Sequence, residues 1–259
     1  MIDDRLTDND IVISSRISLV RNIADYPFVC TCSVDQLEEI EALVQKRLVE
    51  SPDFENVRFG GRSPVILERQ LLAELYQRNA RFDADLVPHS QPANTASIDV
   101  NDEDHFQLSV SRTDDDLTAA WDCVNDLDDR VEQHFSFAFN DRWGYLTTSP
   151  ADIGTGMRAS VVMHLPGLAA SQQTDKIFRS LQRGNIIGRD AILDPSLEAF
   201  LTPEVREICK QPDMFRLTNL TTLGLNETEL IRQVQDALPP IINFEREARD
   251  VVLAQPQSE

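Results

Sequence analysis

Apolar residues recur along the chain with two periods, and the longer period predicts helices. A capping box of Ser33 and Gln36 precedes apolar positions at helical spacing, which predicts a helix over about residues 34–49. The same spacing predicts further helices over about residues 67–79 and 115–134. We expect the first of these helices to serve packing rather than chemistry.

A last helix is predicted by a second capping box, which runs from Asn226 to Glu229. Pro239 and Pro240 lie inside its pattern and are expected to kink or split the helix, because proline has no N–H to donate. The segment before it, residues 185–213, contains three separated prolines, and we expect it to be irregular.

The shorter period predicts strands. Residues 97–100 and 106–111 alternate like the arms of an antiparallel hairpin, with the acidic turn 101–105 between them. Residues 144–148 are predicted as a strand, and residues 158–165 as a strand or the start of a buried segment. Carboxylates at a turn between two strands would be held on a rigid frame.

Three further segments complete the pattern. An apolar run over residues 11–15 is followed by residues 16–22, which we interpret as a basic turn and a first candidate site. Residues 214–220 are predicted as a strand. A loop rich in proline and glycine over residues 149–156 precedes Arg158 and forms a second candidate site.

The charge of the chain restricts its partners. Of the 259 residues 41% are hydrophobic, which is a globular composition, and 24 Lys and Arg stand against 44 Asp and Glu. The formal net charge of −20 argues against non-specific binding to nucleic acid or to an anionic membrane. The acidity is best explained by solubility.

Cysteine usage and the N-terminus favour a reducing compartment. The four cysteines lack the paired spacing of a zinc site, so no metal site is predicted and buried free thiols are expected. The first ten residues are acidic and polar, without the apolar core of a secretion signal, and no stretch approaches the ~20 apolar residues of a membrane span. A cytoplasmic location is the expectation.

Three collinear segments resemble the phosphagen kinases, the ATP:guanidino phosphotransferase family. Residues 11–22, IVISSRISLVRN, are similar to the family's SSRxRxxRN nucleotide segment, and residues 101–105, NDEDH, to its NEEDH box. Residues 144–160 resemble GYLTxCPTNxGTGxRAS. The sequences of residues 141–166 and 215–224 are similar to those of the bacterial protein-arginine kinases.

The resemblance implies roles for individual residues. Arg16 and Arg158 would bind nucleotide phosphates, as suits a planar guanidinium that stays charged. Glu103, with Asp102 beside it, would align the guanidino acceptor by charge-assisted hydrogen bonds. The remaining residues of the implied nucleotide site are Ser14, Ser15, Ser18, Tyr76, Ala159 and Ser160, with Tyr76 in place of an adenine-proximal histidine.

The chain departs from the family pattern at positions that matter for activity. Ser18 and Gln107 stand where the family has phosphate-binding arginines. Ser149 replaces the active-site cysteine, and Asp152 replaces an asparagine and adds negative charge close to where ATP would lie. Each lost charged hydrogen bond is worth ~1.5–3 kcal/mol, so turnover should be nearly abolished.

A further departure affects the family's RGxxGE loop, which supplies another arginine and a second acceptor-aligning glutamate. It should follow Ile187, but the chain reads GRDAILDP over residues 188–195 and continues into an extra helical stretch near 196–210. Arg189 is a candidate replacement for the arginine, whereas no glutamate follows at the corresponding place.

The resemblance implies an α+β fold, in which helices flank an antiparallel β-sheet. Residues 1–90 would form a reduced helical N-terminal part with the nucleotide segment, and residues 91–259 the catalytic domain. The predicted function is a divergent protein-arginine kinase-like domain, a weak or inactive pseudokinase that acts through a protein partner or client, with Mg-ATP as the only implied cofactor. The alternative is an active kinase that transfers the ATP γ-phosphate to arginine residues in proteins.

Overall fold

A seven-stranded β-sheet is the frame of the molecule in a computed structural model that describes residues 10–60, 94–112, 114–190 and 213–254. The strands are β1 (Val12–Arg21), β2 (Val57–Gly60), β3 (Asn94–Val100), β4 (Phe106–Arg112), β7 (Met157–His164), β8 (Ile186–Asp190) and β9 (Met214–Asn219). Two short strands, β5 (Phe139–Asn140) and β6 (Gly144–Tyr145), form a separate hairpin.

Five α-helices accompany the strands in the described ranges. They are α1 (Val34–Val44), α2 (Leu117–Glu132), α3 (Pro166–Ala170), α4 (Thr174–Leu181) and α5 (Glu227–Ala254). A π-helical turn, Gln45–Val49, continues α1, and both hydrogen bonds of the capping box between Ser33 and Gln36 are present. The predicted helices over 34–49 and 115–134 are thereby confirmed.

The strand order is β2-β3-β4-β1-β7-β9-β8. All neighbours are antiparallel except β2 and β3, which are parallel. The structure confirms the predicted hairpin over 97–111 and the predicted strands over 158–165 and 214–220. It thereby confirms the α+β fold. The predicted strand over 144–148 is shorter than expected, because only Gly144 and Tyr145 pair, with Asn140 and Phe139.

The sheet has one apolar face, and the helices pack against it. Every second residue of the central strands is fully buried there, as Ile17 and Leu19 of β1 and Leu108 of β4 illustrate. Helix α2 contacts β1 and β4, and α5 contacts β7 and β9. Burial of these side chains is the main driving force that holds helices and sheet together.

The interpretation of residues 16–22 as a turn is wrong. Residues 16–21 continue β1, which ends at Arg21 and pairs with β4 on one side and β7 on the other. Polar residues at alternate positions disguise the strand, because Arg16 and Ser18 point away from the helices while Ile17 and Leu19 point toward them.

Two expectations for the C-terminal part are also corrected. Residues 186–190 form the edge strand β8 instead of irregular chain, since they pair with β9 and bury Ile186. Helix α5 is not split at Pro239 and Pro240. Both prolines are exposed, so their rings lie outside the buried stripe that continues on either side of them.

Some expectations fall outside the described residues. They are the helix over 67–79, Tyr76 and the stretch near 196–210. The division of the chain at about residue 90 stays a prediction, although β1 from before that boundary lies between β4 and β7. No helix among the described residues is both long and apolar enough to cross a membrane.

Candidate functional site

The face of the sheet that points away from the helices is polar, and we call it the polar face. Directly opposed residues of neighbouring strands project to the same side, so the register assigns residues to this face. Arg16 lies opposite Ser160 of β7, and Ser18 lies opposite Arg158. Four residues from two segments far apart in sequence are therefore adjacent.

Alternation along the strands separates two of the implied nucleotide residues from this face. Ser15 pairs with Val161, and Ala159 pairs with Ile17, so both project toward the helices. The Ser15 side chain is buried, and its hydroxyl has no hydrogen-bond partner in the part of the chain that is described. Ser14, opposite Val162, is half-buried, and the Ser160 hydroxyl contacts the carbonyl oxygen of Arg16 at 3.4 Å.

Strand β4 supplies mostly neutral polar groups to the polar face beside β1. Ser109 lies opposite Ser18, and its hydroxyl accepts a hydrogen bond of 2.8 Å from Nη2 of Arg16. Gln107 lies opposite Val20 of β1 and opposite Asp99 of β3. The two positions that lack the family's arginines thus lie on the same face as Arg16.

Asp99 is a site residue that the sequence reasoning did not single out. It is almost fully buried, and its Oδ2 has no hydrogen-bond partner among the described residues. Burial raises the pKa of its carboxyl to about 6, against the lowering effect of Arg16 and with a further raising effect of Asp102. Its place in the alternation of residues 97–100, out of phase with Ile98 and Val100, is the sequence signal that could have revealed it.

The acidic turn after β3 is fixed by a buried hydrogen-bond network. Nδ2 of Asn22 donates to Oδ1 of Asp104, and Oδ1 of Asn22 accepts from the backbone N–H of His105. Oδ1 of Asp104 also accepts from the backbone N–H of Thr148, and Nδ1 of His105 accepts from that of Ile23. The network joins the end of β1, the turn and the segment after β6.

The same network decides which acidic residues of the turn reach solvent. Asp104 and His105 are buried, and desolvation lowers the pKa of His105. Asp102 and Glu103 are exposed. The implied acceptor-aligning pair is therefore presented outward by partners that are structural.

Glu103 lies within electrostatic range of the β7 end of the polar face. Although the residue as a whole is exposed, partial desolvation of its carboxylate is the largest cause that raises its pKa. The charges of Asp104 and Asp152 raise it further, and Arg158 opposes them. Arg158, which the resemblance assigns to nucleotide, thus lowers the pKa of Glu103, which the resemblance assigns to the acceptor.

The guanidinium of Arg158 is paired within the chain. Its Nη2 donates to Oδ2 of Asp152 at 3.0 Å, and its Nε lies 2.7 Å from Oδ1, an ion-pair contact without hydrogen-bond geometry. Asp152 is buried, whereas the Arg158 side chain is 41% exposed. Ser149, half-buried, begins the turn that positions Asp152, because its carbonyl oxygen accepts from the Asp152 N–H.

Two more arginines continue the polar face toward the sheet edge. Arg216 of β9 lies opposite Val162, and Arg189 of β8 lies opposite Arg216. Arg216 escaped the sequence reasoning, although the alternation of residues 214–219 carries the signal. Within the described residues, no group of three or more His, Cys, Asp and Glu is arranged to hold a metal ion.

A comparison with known families decides the ancestry. The family model described as the C-terminal catalytic domain of ATP:guanido phosphotransferases matches residues 62–248. The chain belongs to this family. The resemblance found in the sequence motifs is therefore confirmed.

Relatives within the family include bacterial kinases. The protein-arginine kinase of Geobacillus sp. (strain WCH70) is 31% identical over 255 residues, which are 95% of this chain and 66% of the relative. The protein-arginine kinase of Symbiobacterium thermophilum is 36% identical over 250 residues, which are 93% of this chain and 67% of the relative. The chain thus spans about two thirds of the length of these relatives.

Solved structures of the family share the fold. A duplicated taurocyamine kinase from Schistosoma mansoni with bound transition state analog components has a TM-score of 0.68 at 22% identity, covering 99% of this chain and 36% of that one. Lombricine kinase has a TM-score of 0.64 at 20% identity, covering 94% of this chain and 68% of that one. At these identities the likeness concerns the fold.

Proposed function

We propose that this chain is a protein-arginine kinase-like domain that binds nucleotide weakly or not at all, and that it acts in the cytoplasm by binding a protein partner or client. The observation that carries the proposal is the uncharged pair Ser18 and Gln107 on the same sheet face as Arg16. The partner class we favour is an active arginine kinase or an arginine-containing client protein.

The charge of the polar face supports weak nucleotide binding. A triphosphate needs several cationic donors, and each charged hydrogen bond that is missing costs about 1.5–3 kcal/mol. Two of the family's arginines are replaced by neutral residues, and Asp152 brings a carboxylate to Arg158. The residues present therefore fit Mg-ATP poorly.

A second candidate function is transfer of the ATP γ-phosphate to arginine residues in proteins. Arg189 and Arg216 favour it, because they lie on the polar face and would return two cations to it. The fixed acidic turn also favours it, since Asp102 and Glu103 remain exposed and available to align a guanidinium.

A transfer assay with γ-labelled Mg-ATP and an arginine-rich protein distinguishes the two functions. The proposal expects no acid-labile protein phosphorylation above that of a Glu103→Gln control. Labelling that depends on Glu103 and falls in Arg216→Gln would contradict the proposal and establish the second function.

A further inference from the structure

The contact between Asp152 and Arg158 joins a retained phosphate-binding arginine of the family to a carboxylate where the family has an asparagine. Both carboxylate oxygens face the guanidinium, at 2.7 Å from Nε and 3.0 Å from Nη2. Only the contact from Nη2 is a hydrogen bond, and the contact from Nε is an ion pair, so both oxygens lie on the side of the guanidinium that also binds phosphate groups. Asp152 thus takes up one hydrogen-bond donor of Arg158 and neutralises the charge that a phosphate would need.

The loop that carries Asp152 is held in place. Oγ1 of Thr222 donates to the carbonyl oxygen of Ile153 at 2.6 Å and contacts that of Ala151 at 3.4 Å. Gly154 has a φ of +117°. A Cβ at this position would lie 3.2 Å from the Cα of Leu223 and 3.2 Å from the backbone carbonyl oxygen of Thr222. The tight contact on both sides of Asp152 opposes movement of its carboxylate away from Arg158.

The surroundings of Arg158 are already rich in negative charge. Its guanidinium contacts Asp152 and lowers the pKa of Glu103. The charges of Asp102 and Asp104 raise the pKa of Glu103. An incoming phosphate would have to compete with Asp152 for Arg158 and approach Glu103 at the same time. In a partly buried site such repulsion is screened less than on an open surface.

We propose that Asp152 is a specificity-determining residue that occupies Arg158 as an internal anion and so disfavours a nucleotide phosphate on the polar face. The inference rests on the proposed function, because it gives one physical cause for weak nucleotide binding. It is independent of Ser18 and Gln107, which lower affinity by the absence of cations.

Isothermal titration with Mg-ADP compares the wild-type chain with Asp152→Asn, Asp152→Glu and Asp141→Asn. Asparagine keeps the shape of the side chain and removes its charge, glutamate keeps the charge, and Asp141→Asn removes an equal charge from an exposed turn. We expect Asp152→Asn to bind at least about tenfold more tightly than wild type. The two controls should stay within about twofold of wild type.

The gain should require Arg158, so the double variant Asp152→Asn/Arg158→Gln should lose it. Should Asp152→Asn fail to fold, Asp152→Ser removes the same charge and carries the same expectation. Equal affinities of Asp152→Asn and Asp141→Asn, including no detectable heat from either at millimolar Mg-ADP, would overturn the inference. Micromolar binding by the wild-type chain would instead contradict the proposed function, and the ratio between the variants would still test Asp152.

Discussion

Two aspartates set the charge around Arg16 and Arg158, the two arginines that the resemblance assigns to nucleotide phosphates. Asp152 contacts Arg158 directly, and Asp99 interacts electrostatically with Arg16. The two aspartates differ in the free-energy cost of burying their charge. Asp152 has a cationic partner at hydrogen-bond distance, whereas Oδ2 of Asp99 has no hydrogen bond among the described residues. A buried carboxylate without full compensation favours its neutral form.

Asp99 should therefore make stability depend on pH. Its pKa is about 6 in the fold and 3.8 in its absence, so the native state binds more protons than the unfolded state between these values. The stability linked to this group is present below pH 3.8 and is lost as the pH rises through about 6. Asp99→Asn should raise the free energy of unfolding at pH 8 by up to about 3 kcal/mol, since one pKa unit corresponds to about 1.4 kcal/mol.

Urea denaturation of Asp99→Asn and wild type at pH 5 and pH 8 measures this difference. Asp141→Asn, at an exposed turn, is the matched control and should change little at either pH. An Asp99→Asn variant that is less stable than wild type at pH 8 would show that the carboxylate is compensated in the fold.

Restoring the family's residues tests whether the polar face is still a usable frame. The triple variant Ser18→Arg, Gln107→Arg and Ser149→Cys should gain at least about tenfold in Mg-ATP affinity, because each added cation supplies a charge-assisted hydrogen bond. Phosphoryl transfer should stay poor, because point changes do not supply the RGxxGE loop. Calorimetry and the γ-label transfer assay measure the two effects, and robust turnover would show that the loop is dispensable.

At the scale of elements, the acidic turn depends on the end of β1. Asn22 is the centre of this connection, since its side chain bonds both Asp104 and the His105 backbone. Nδ2 of Asn22 also donates to the carbonyl oxygen of Leu146. A change at Asn22 therefore removes hydrogen bonds to two segments, the acidic turn and the chain at Leu146.

Asn22→Ala should lower the free energy of unfolding by about 2–3 kcal/mol, because a buried polar group that loses its partner costs about 1–3 kcal/mol. It should also speed amide hydrogen exchange in the turn, residues 101–105, more than in the flanking strands β3 and β4. Gln133→Ala, at an exposed helix end, is the control. Exchange that accelerates equally across the whole sheet would mean that Asn22 stabilises the fold globally and does not specifically hold the turn.

The predictability of these elements follows their local signals. The hairpin β3–β4 and helix α2 were predictable because their apolar periods are regular, and the capping box marked the start of α1. Strand β1 was mistaken for a turn because charged and polar residues occupy its outward positions, and only pairing with β4 and β7 reveals it. Local sequence carries no information about strand neighbours so distant along the chain.

The candidate site divides in the same way. Motif likeness pointed to Glu103, Arg16 and Arg158. Long-range pairing of β1 with β7 places Arg16 and Arg158 on one sheet face, and the charge of Arg158 acts on Glu103. The ion pair between Asp152 and Arg158 could be anticipated only as added negative charge, since its geometry depends on the loop held by Thr222. The role of Asp99 could not be predicted from local sequence, because its raised pKa depends on its burial in the fold and on the charge of Arg16.

For the whole molecule, the sheet separates two roles. Its apolar face, covered by α2 and α5, holds the fold together, while its polar face carries Arg16 and Arg158 beside the carboxylates of Asp99 and Asp152. Fold and activity are separable in this way, because packing constrains one face of a sheet and ligand chemistry the other.

A thermal-shift titration of the wild-type chain with Mg-ATP tests the central claim most directly. A ligand that binds only the native state at 100 times its Kd stabilises the fold by about 2.7 kcal/mol, and the unfolding midpoint must rise accordingly. We expect no rise at micromolar Mg-ATP and a small rise at most at millimolar Mg-ATP. A clear, saturating rise at micromolar Mg-ATP would contradict the proposal that this chain binds nucleotide weakly or not at all.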